Sequence, residues 1–141
     1  MSIPKSLQLR FVTPARELAH EEVDEVELPG TDGDFGVLPG HAPLLAALRP
    51  GGMWNRRGTD KQYAFVDGGF AEVLPDRVTV LALIAERAED IDLARAEAAR
   101  RRAEERLAKP VVTEIDFERA RIALLKAISR LDVMKNVPRR R

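Results

Sequence analysis

The sequence predicts an α+β chain, with a β-sandwich over residues 1–86 followed by an antiparallel two-helix hairpin over residues 87–141. Three observations carry this prediction. Apolar and polar residues alternate with period two at the start, as Leu7, Leu9 and Phe11 do around Gln8 and Arg10, which is the pattern of a half-buried strand. All nine glycines lie at or before Gly69, where they break the chain into short runs. Past residue 86 alanine and arginine dominate, and the apolar spacing lengthens to three and four, as in Ala96, Ala99, Ala103 and Leu107.

The first predicted strand is the run around Leu7 and Phe11, and the second is Val23 to Leu28, closed by Pro29-Gly30. From Pro29 to Leu45 turn-forming residues are so dense that the segment reads as turns. Gly51 to Arg57 and Lys61 to Val66 read as a hairpin around Gly58-Thr59-Asp60. Asp67-Gly68-Gly69 reads as a turn into Phe70–Leu74, and Pro75-Asp76 as another into Arg77–Ile84. That last run is apolar on both faces, as a strand inside a sandwich would be. Six or more short strands at this spacing point to a sandwich or barrel.

For the helices, Asp92 is a predicted N-cap, because its carboxylate can accept from the open first-turn N–H groups. Pro110 ends the first helix by disfavouring α geometry at Lys109. A second helix is expected from about Asp116, with Phe117, Ala120, Leu124, Ala127 and Leu131 along one stripe. A short loop between two such stripes gives an antiparallel hairpin. The first stripe is mostly alanine, each methyl contributing about 0.8 kcal/mol when fully buried. A seam that weak makes the hairpin a candidate moving part.

Composition removes several function classes. The chain has no cysteine, so disulfides, thiolate metal sites and cysteine nucleophiles are out. His20 and His41 lie in different segments without metal-ligand spacing. No run of about eighteen apolar residues is present, as a membrane-spanning helix would need. The N-terminus has neither an apolar signal core nor an Arg/Ser-rich leader, so the chain is expected to stay in the compartment where it is made. Net charge is zero but uneven. Residues 1–88 hold 9 Lys+Arg against 13 Asp+Glu, and residues 89–141 hold 14 against 10, so −4 is followed by +4. Such asymmetry suggests two units with different partners.

The glycine-rich run lacks the Gly-Lys-Ser/Thr ending of a phosphate-binding loop, and Asp32 and Asp34 would repel an anion. His41 has no serine, cysteine or paired carboxylate beside it in sequence, which favours a structural role. Arg100-Arg101-Arg102 is interleaved with Glu97, Glu104 and Glu105, which predicts pairing along a solvated helix face. That run and the tail Pro138 to Arg141 lack aromatic stacking partners, so no nucleic-acid partner is expected.

The block Leu28-Pro29-Gly30-Thr31-Asp32-Gly33-Asp34-Phe35-Gly36-Val37-Leu38-Pro39-Gly40-His41-Ala42-Pro43-Leu44-Leu45 closely resembles the epsilon subunit of bacterial rotary (F-type) ATP synthases. Val12 to Leu18, Gly68 to Val73, Val78 to Leu81, Glu89 to Asp92 and Ala94 to Ala96 match as well, in the right order over nearly the whole chain. The resemblance implies a sandwich of about ten strands at the foot of the central stalk. It implies as partners the gamma subunit, the c-subunit ring and the alpha/beta catalytic head. The expected role is non-catalytic: coupling proton flow to ATP synthesis, with the hairpin inhibiting ATP hydrolysis when extended. The expected place is peripheral to the bacterial inner membrane, on its cytoplasmic side, held there through the complex. The alternative is a free-standing ATP-sensing regulator.

Some members of that family bind regulatory ATP on the folded hairpin. Their pattern is matched by Ile91, Asp92, Arg95 and Ala96, with Glu86 upstream and Arg102 and Arg130 downstream. Lys126 stands where those members carry arginine, which keeps the charge and loses the planar fork. Helix capping by Asp92 and intrahelical pairing by the arginines is the competing account of the same residues. No other cofactor is implied.

Overall fold

The computed structural model describes residues 2–110 and 113–136, so the C-terminal arginines of the basic tail lie outside the described residues. The strands are β1 (Leu7–Val12), β2 (Glu17–Val23), β3 (Glu25–Gly30), β4 (Gly33–Val37), β5 (Leu44–Ala47), β6 (Gly51–Arg57), β7 (Asp60–Leu74) and β8 (Arg77–Arg87). A single 3-10 turn, Ala88–Asp90, leads to α1 (Leu93–Leu107) and α2 (Glu114–Met134). Strand order is β2-β1-β8-β7-β6-β3-β4, with β5 added against β7.

The two layers share β7 and β8. The first half of β7 pairs with β6, from Gly51↔Val66 to Arg57↔Asp60, and its second half pairs with β5, from Leu44↔Val73 to Ala47↔Phe70. Strand β8 follows β7 throughout, and its early part also runs parallel to β1. The crossing between layers falls at Gly68-Gly69, and the β7–β8 ladder keeps one register across it, from Asp67↔Ile84 to Gly69↔Ala82. The predicted turn there is instead a positive-φ stretch inside one long strand. Gly69 has φ +114°, and a Cβ on it would lie 2.0 Å from the Leu81 carbonyl oxygen. The ten strands implied by the resemblance appear as eight, because β7 and β8 each serve both layers.

The inward residues of both layers form one core, including Leu7, Leu9, Phe11, Val26, Leu28, Val37, Met53, Val73, Val78 and Val80, each 4% exposed or less. Period two thus located β1 correctly. Three expectations are corrected. Strand β2 replaces a stretch with no predicted strand, and the second predicted run is split at Asp24, whose N–H donates to the Arg56 carbonyl. The turn-rich block contains β4 and β5, because the ladders with β3 and β7 outweigh its turn propensity. Strand β8 is not buried on both faces, since Leu81, Leu83 and Ile84 are 53%, 68% and 49% exposed.

The hairpin forms as its sequence dictates. Asp92 caps α1, accepting from the Arg95 N–H at 3.1 Å. Thr113 caps α2, accepting from the Asp116 N–H at 3.1 Å, so α2 begins two residues before the expected start. Ala96, Ala103, Ala120 and Ala127 are buried along the seam. Phe117, placed in that stripe from its spacing, is 44% exposed, because it sits in the first turn of α2 beside the end of α1. On the outer surface of α2, Arg121 donates to Glu118 at 3.0 and 3.3 Å. That hydrogen bond, with the adjacent positive charge, holds the Glu118 carboxyl below its ordinary range. A depressed carboxylate contributes helix stability above its unfolded pKa and loses it as pH falls through the folded value. An NMR titration should give Glu118 a midpoint below that of an unpaired glutamate, and Arg121→Ala should raise it back; equal midpoints would refute the pairing.

Candidate functional site

The hairpin does not stand free. It lies on the outer face of the β6-β7-β8 layer through a small buried cluster of Phe65, Ala88, Ile91 and Val133, flanked by Tyr63 and Met134. Gly52 on β6 permits this approach, as a Cβ there would lie 2.9 Å from Val133 Cγ2. Where α1 starts, α2 ends and β8 leaves the sheet, the three meet around a cavity of about 410 Å³. That volume is within the range of about 300–1,000 Å³ usual for small-molecule sites.

Its walls are Glu86, Asp90, Ile91, Asp92, Arg95, Ala96, Ala99, Arg102 and Arg130. Seven of the eight residues singled out from sequence are thus brought together, although Glu86 and Arg130 are 44 positions apart. Each has a definite posture. Glu86, on β8, accepts from Arg130 Nε at 2.7 Å, and the Arg130 guanidinium lies 4.3 Å from the centre of the Phe65 ring. Ile91 and Ala96 are 6% and 4% exposed and form the apolar floor. Asp92 is engaged as the cap of α1.

The eighth residue, Lys126, does not line the cavity. Its ammonium is 2.8 Å from Asp67 Oδ2 on β7. Asp90 and Ala99 complete the walls and were missed from sequence. Asp90 sits within the Glu89-Asp90-Ile91-Asp92 run, and Ala99 follows Ala96 and Arg95 by three and four positions on one helix face, so both carried a spacing signal.

Three arginines and three carboxylates line the cavity, and the carboxylates are partly used. Glu86 holds Arg130, and Asp90 lies 3.6 Å from Arg16. Among the described residues Arg95 and Arg102 make no ion pair, so two cations face the cavity beside the electropositive start of α1. The arrangement suits an anion carrying a flat apolar portion. It offers no nucleophile with an adjacent base, and among the described residues no three His, Cys, Asp or Glu side chains gather into a metal site. Among the described residues the His41 ring hydrogen-bonds its neighbour, with Nδ1 2.6 Å from the Ala42 carbonyl oxygen. Arg100 pairs with Glu104 at 3.7 Å, the i,i+4 contact expected of a solvated face.

Comparison with known proteins gives the same two-part organisation. Residues 6–88 match the beta-sandwich domain of the ATP synthase delta/epsilon chain, and residues 89–135 match its long alpha-helix domain. The ATP synthase epsilon chain of Nitratidesulfovibrio vulgaris is 48% identical over 132 residues, covering 94% of this chain and 98% of that one. That of Syntrophobacter fumaroxidans is 46% identical over 129 residues, covering 92% and 96%. Among solved structures, a chain of the Euglena gracilis mitochondrial ATP synthase superposes with TM-score 0.82 at 25% identity, over 92% of this chain and 81% of that one. The chain belongs to the ATP synthase delta/epsilon family.

Proposed function

We infer that this chain serves as a non-catalytic subunit of the central stalk in a proton-translocating F-type ATP synthase, and that its hairpin restrains ATP hydrolysis. The observation that carries the regulatory half is the contrast between two cores. Among the described residues, seventeen buried residues hold the sandwich together, whereas four hold the hairpin to it, so the hairpin can detach while the sandwich stays folded. Full burial of one large apolar side chain contributes about 1.5–3 kcal/mol, which puts the whole attachment at a few kcal/mol after ordering entropy.

Unpartnered apolar side chains support a place inside a larger assembly. Leu38, Leu44 and Leu45 are exposed on the loop and strand after β4, and Phe70, Leu81 and Leu83 are exposed around the β7–β8 crossing. In this reading the sandwich is covered by the gamma subunit and the c-subunit ring, and the extended hairpin reaches the alpha/beta catalytic head. The Euglena structure, which contains the c-ring, supports that assignment. Of the arginines Arg100, Arg101, Arg119 and Arg121, those at 101 and 119 make no ion pair among the described residues, leaving charge to steer docking on acidic loops. The subunit would be peripheral to the membrane through its complex, on the cytoplasmic side of the bacterial inner membrane. No described helix is long and apolar enough to cross a membrane.

The cavity at the foot of the hairpin is read as a site for ATP as a regulatory ligand, its phosphates meeting Arg95 and Arg102. A ligand that recognises only the docked hairpin stabilises it by about 1.4 kcal/mol at tenfold its dissociation constant. Plentiful ATP would then keep the brake off. The free-standing ATP sensor is disfavoured, since both halves match a subunit family. The test of the inhibitory role is ATP hydrolysis by the assembled enzyme with and without residues 89–141. Hydrolysis should rise several-fold on truncation while the sandwich still co-purifies with the complex; an unchanged rate would remove the inhibitory role.

A further inference from the structure

Lys126 and Arg130 stand one helical turn apart on α2 and both reach down to the sheet. Lys126 meets Asp67 at 2.8 Å and Arg130 meets Glu86 at 2.7 Å. The two carboxylates belong to neighbouring strands. Register pairs Phe65 with Glu86 and Asp67 with Ile84, so Phe65, Asp67 and Glu86 project from one face of the sheet. Phe65, fully buried, lies under Arg130 at 4.3 Å. Two cations at helical spacing therefore fit two anions at sheet spacing around an aromatic centre.

These pairs differ from most other ion pairs among the described residues, although Arg56–Glu25 within the sandwich is comparably shielded at 30% and 28%. Most of those join groups that are near in sequence or widely exposed, such as Arg100–Glu104 and Lys135–Asp132. Here the side chains are 33% and 15% exposed for Lys126–Asp67, and 26% and 31% for Arg130–Glu86. Partial shielding strengthens the attraction relative to solvent-exposed pairs. Both pairs also span the boundary between hairpin and sandwich, where the apolar attachment consists, among the described residues, of four buried ones.

We propose that Lys126 and Arg130 form an electrostatic clasp, seated on Asp67 and Glu86, that holds the hairpin on the sandwich without any ligand, and that Lys126 belongs to this clasp and not to the nucleotide cavity. The clasp sets the resting position of the hairpin through the chain's own charges. It stands whether or not the cavity takes ATP. The equilibrium it controls responds to ionic strength, because partly exposed pairs are screened by salt.

Amide hydrogen exchange on the full chain, free of nucleotide, tests this, with the buried half of α2 as the reporter of hairpin opening and β1 and β4, away from the hairpin, as internal controls. Asp67→Asn or Lys126→Ala should raise exchange across α2 by about fivefold, the upper end for an ion pair of this exposure, and leave β1 and β4 unchanged. The exchanged pair Asp67→Lys with Lys126→Asp should restore protection that Asp67→Lys alone removes. Raising salt should speed α2 exchange in the native chain and have little effect in Asp67→Asn with Glu86→Gln. The clasp is overturned if the isosteric Asp67→Asn exchanges like the native chain, or if charge exchange fails to restore protection. A parallel ATP titration of the native chain separates the two ideas: absence of binding there removes the nucleotide site and leaves the exchange result to decide the clasp.

Discussion

Replacing Gly69 with alanine should destabilise the chain by about 4 kcal/mol, lowering Tm by roughly 10–15 °C for a domain of this size. The backbone at Gly69 has φ +114°, where an L side chain is strained, and the new Cβ would stand 2.0 Å from the Leu81 carbonyl oxygen and 2.8 Å from Ala82 Cα. Both obstacles are backbone of the paired strand, so no rotamer change relieves them. Relief requires opening the β7–β8 ladder where the two layers share strands. Gly68→Ala is the control. Its φ is +73°, and the nearest atom to its Cβ is the Leu83 side-chain Cδ1 at 3.2 Å, which can move because Leu83 is 68% exposed. It should cost about 1–2 kcal/mol. Thermal melts followed by circular dichroism check both, and equal melting of Gly69→Ala and the native chain would show that the layer crossing tolerates a side chain.

Joint replacement of Arg95 and Arg102 by alanine should weaken ATP binding by at least about 100-fold, measured by calorimetry on the full chain. A charge-assisted hydrogen bond contributes about 1.5–3 kcal/mol, or roughly ten- to a hundredfold for each arginine. These two cations face the cavity and make no ion pair among the described residues, so their charge is available to phosphate. Lys126→Ala should change affinity by no more than about twofold, because its ammonium is held by Asp67 outside the cavity. Loosening the hairpin lowers apparent affinity only by the fraction of chains that leave the docked state. A loss on Lys126→Ala as large as that on Arg102→Ala would put the lysine back in the site. Native chain that takes up no ATP at millimolar concentration would remove the site altogether.

These two results probe different kinds of information. Local sequence rules were sufficient where one short stretch supplies both the signal and its physical cause. Alternation around Leu7, Leu9 and Phe11 located β1, because a strand's inward face is written every second residue. Asp92 announced the start of α1, since a cap bonds its own first turn. Alanine spacing located the hairpin seam for the same reason. The motif around Ile91 and Arg95 sits on one helix start, so most of the candidate site could be read in order.

Local rules failed where a distant strand decided the outcome. Gly33 to Val37 carries turn residues, yet β3 draws it into a ladder from Val26↔Val37 to Gly30↔Gly33. Gly68-Gly69 looked like a chain reversal, yet lies inside one long strand because β8 pairs on both sides of it in a single register. By itself, then, the sequence determined the sandwich-plus-hairpin order, the cap of α1, the alanine seam and the family. Tertiary structure alone decided which strands cross between layers and that Lys126 turns away to Asp67. The physical reason is that a charge takes the partner nearest in space. Asp67 lies 59 residues before Lys126, so nothing in the helix's own spacing announces their pairing.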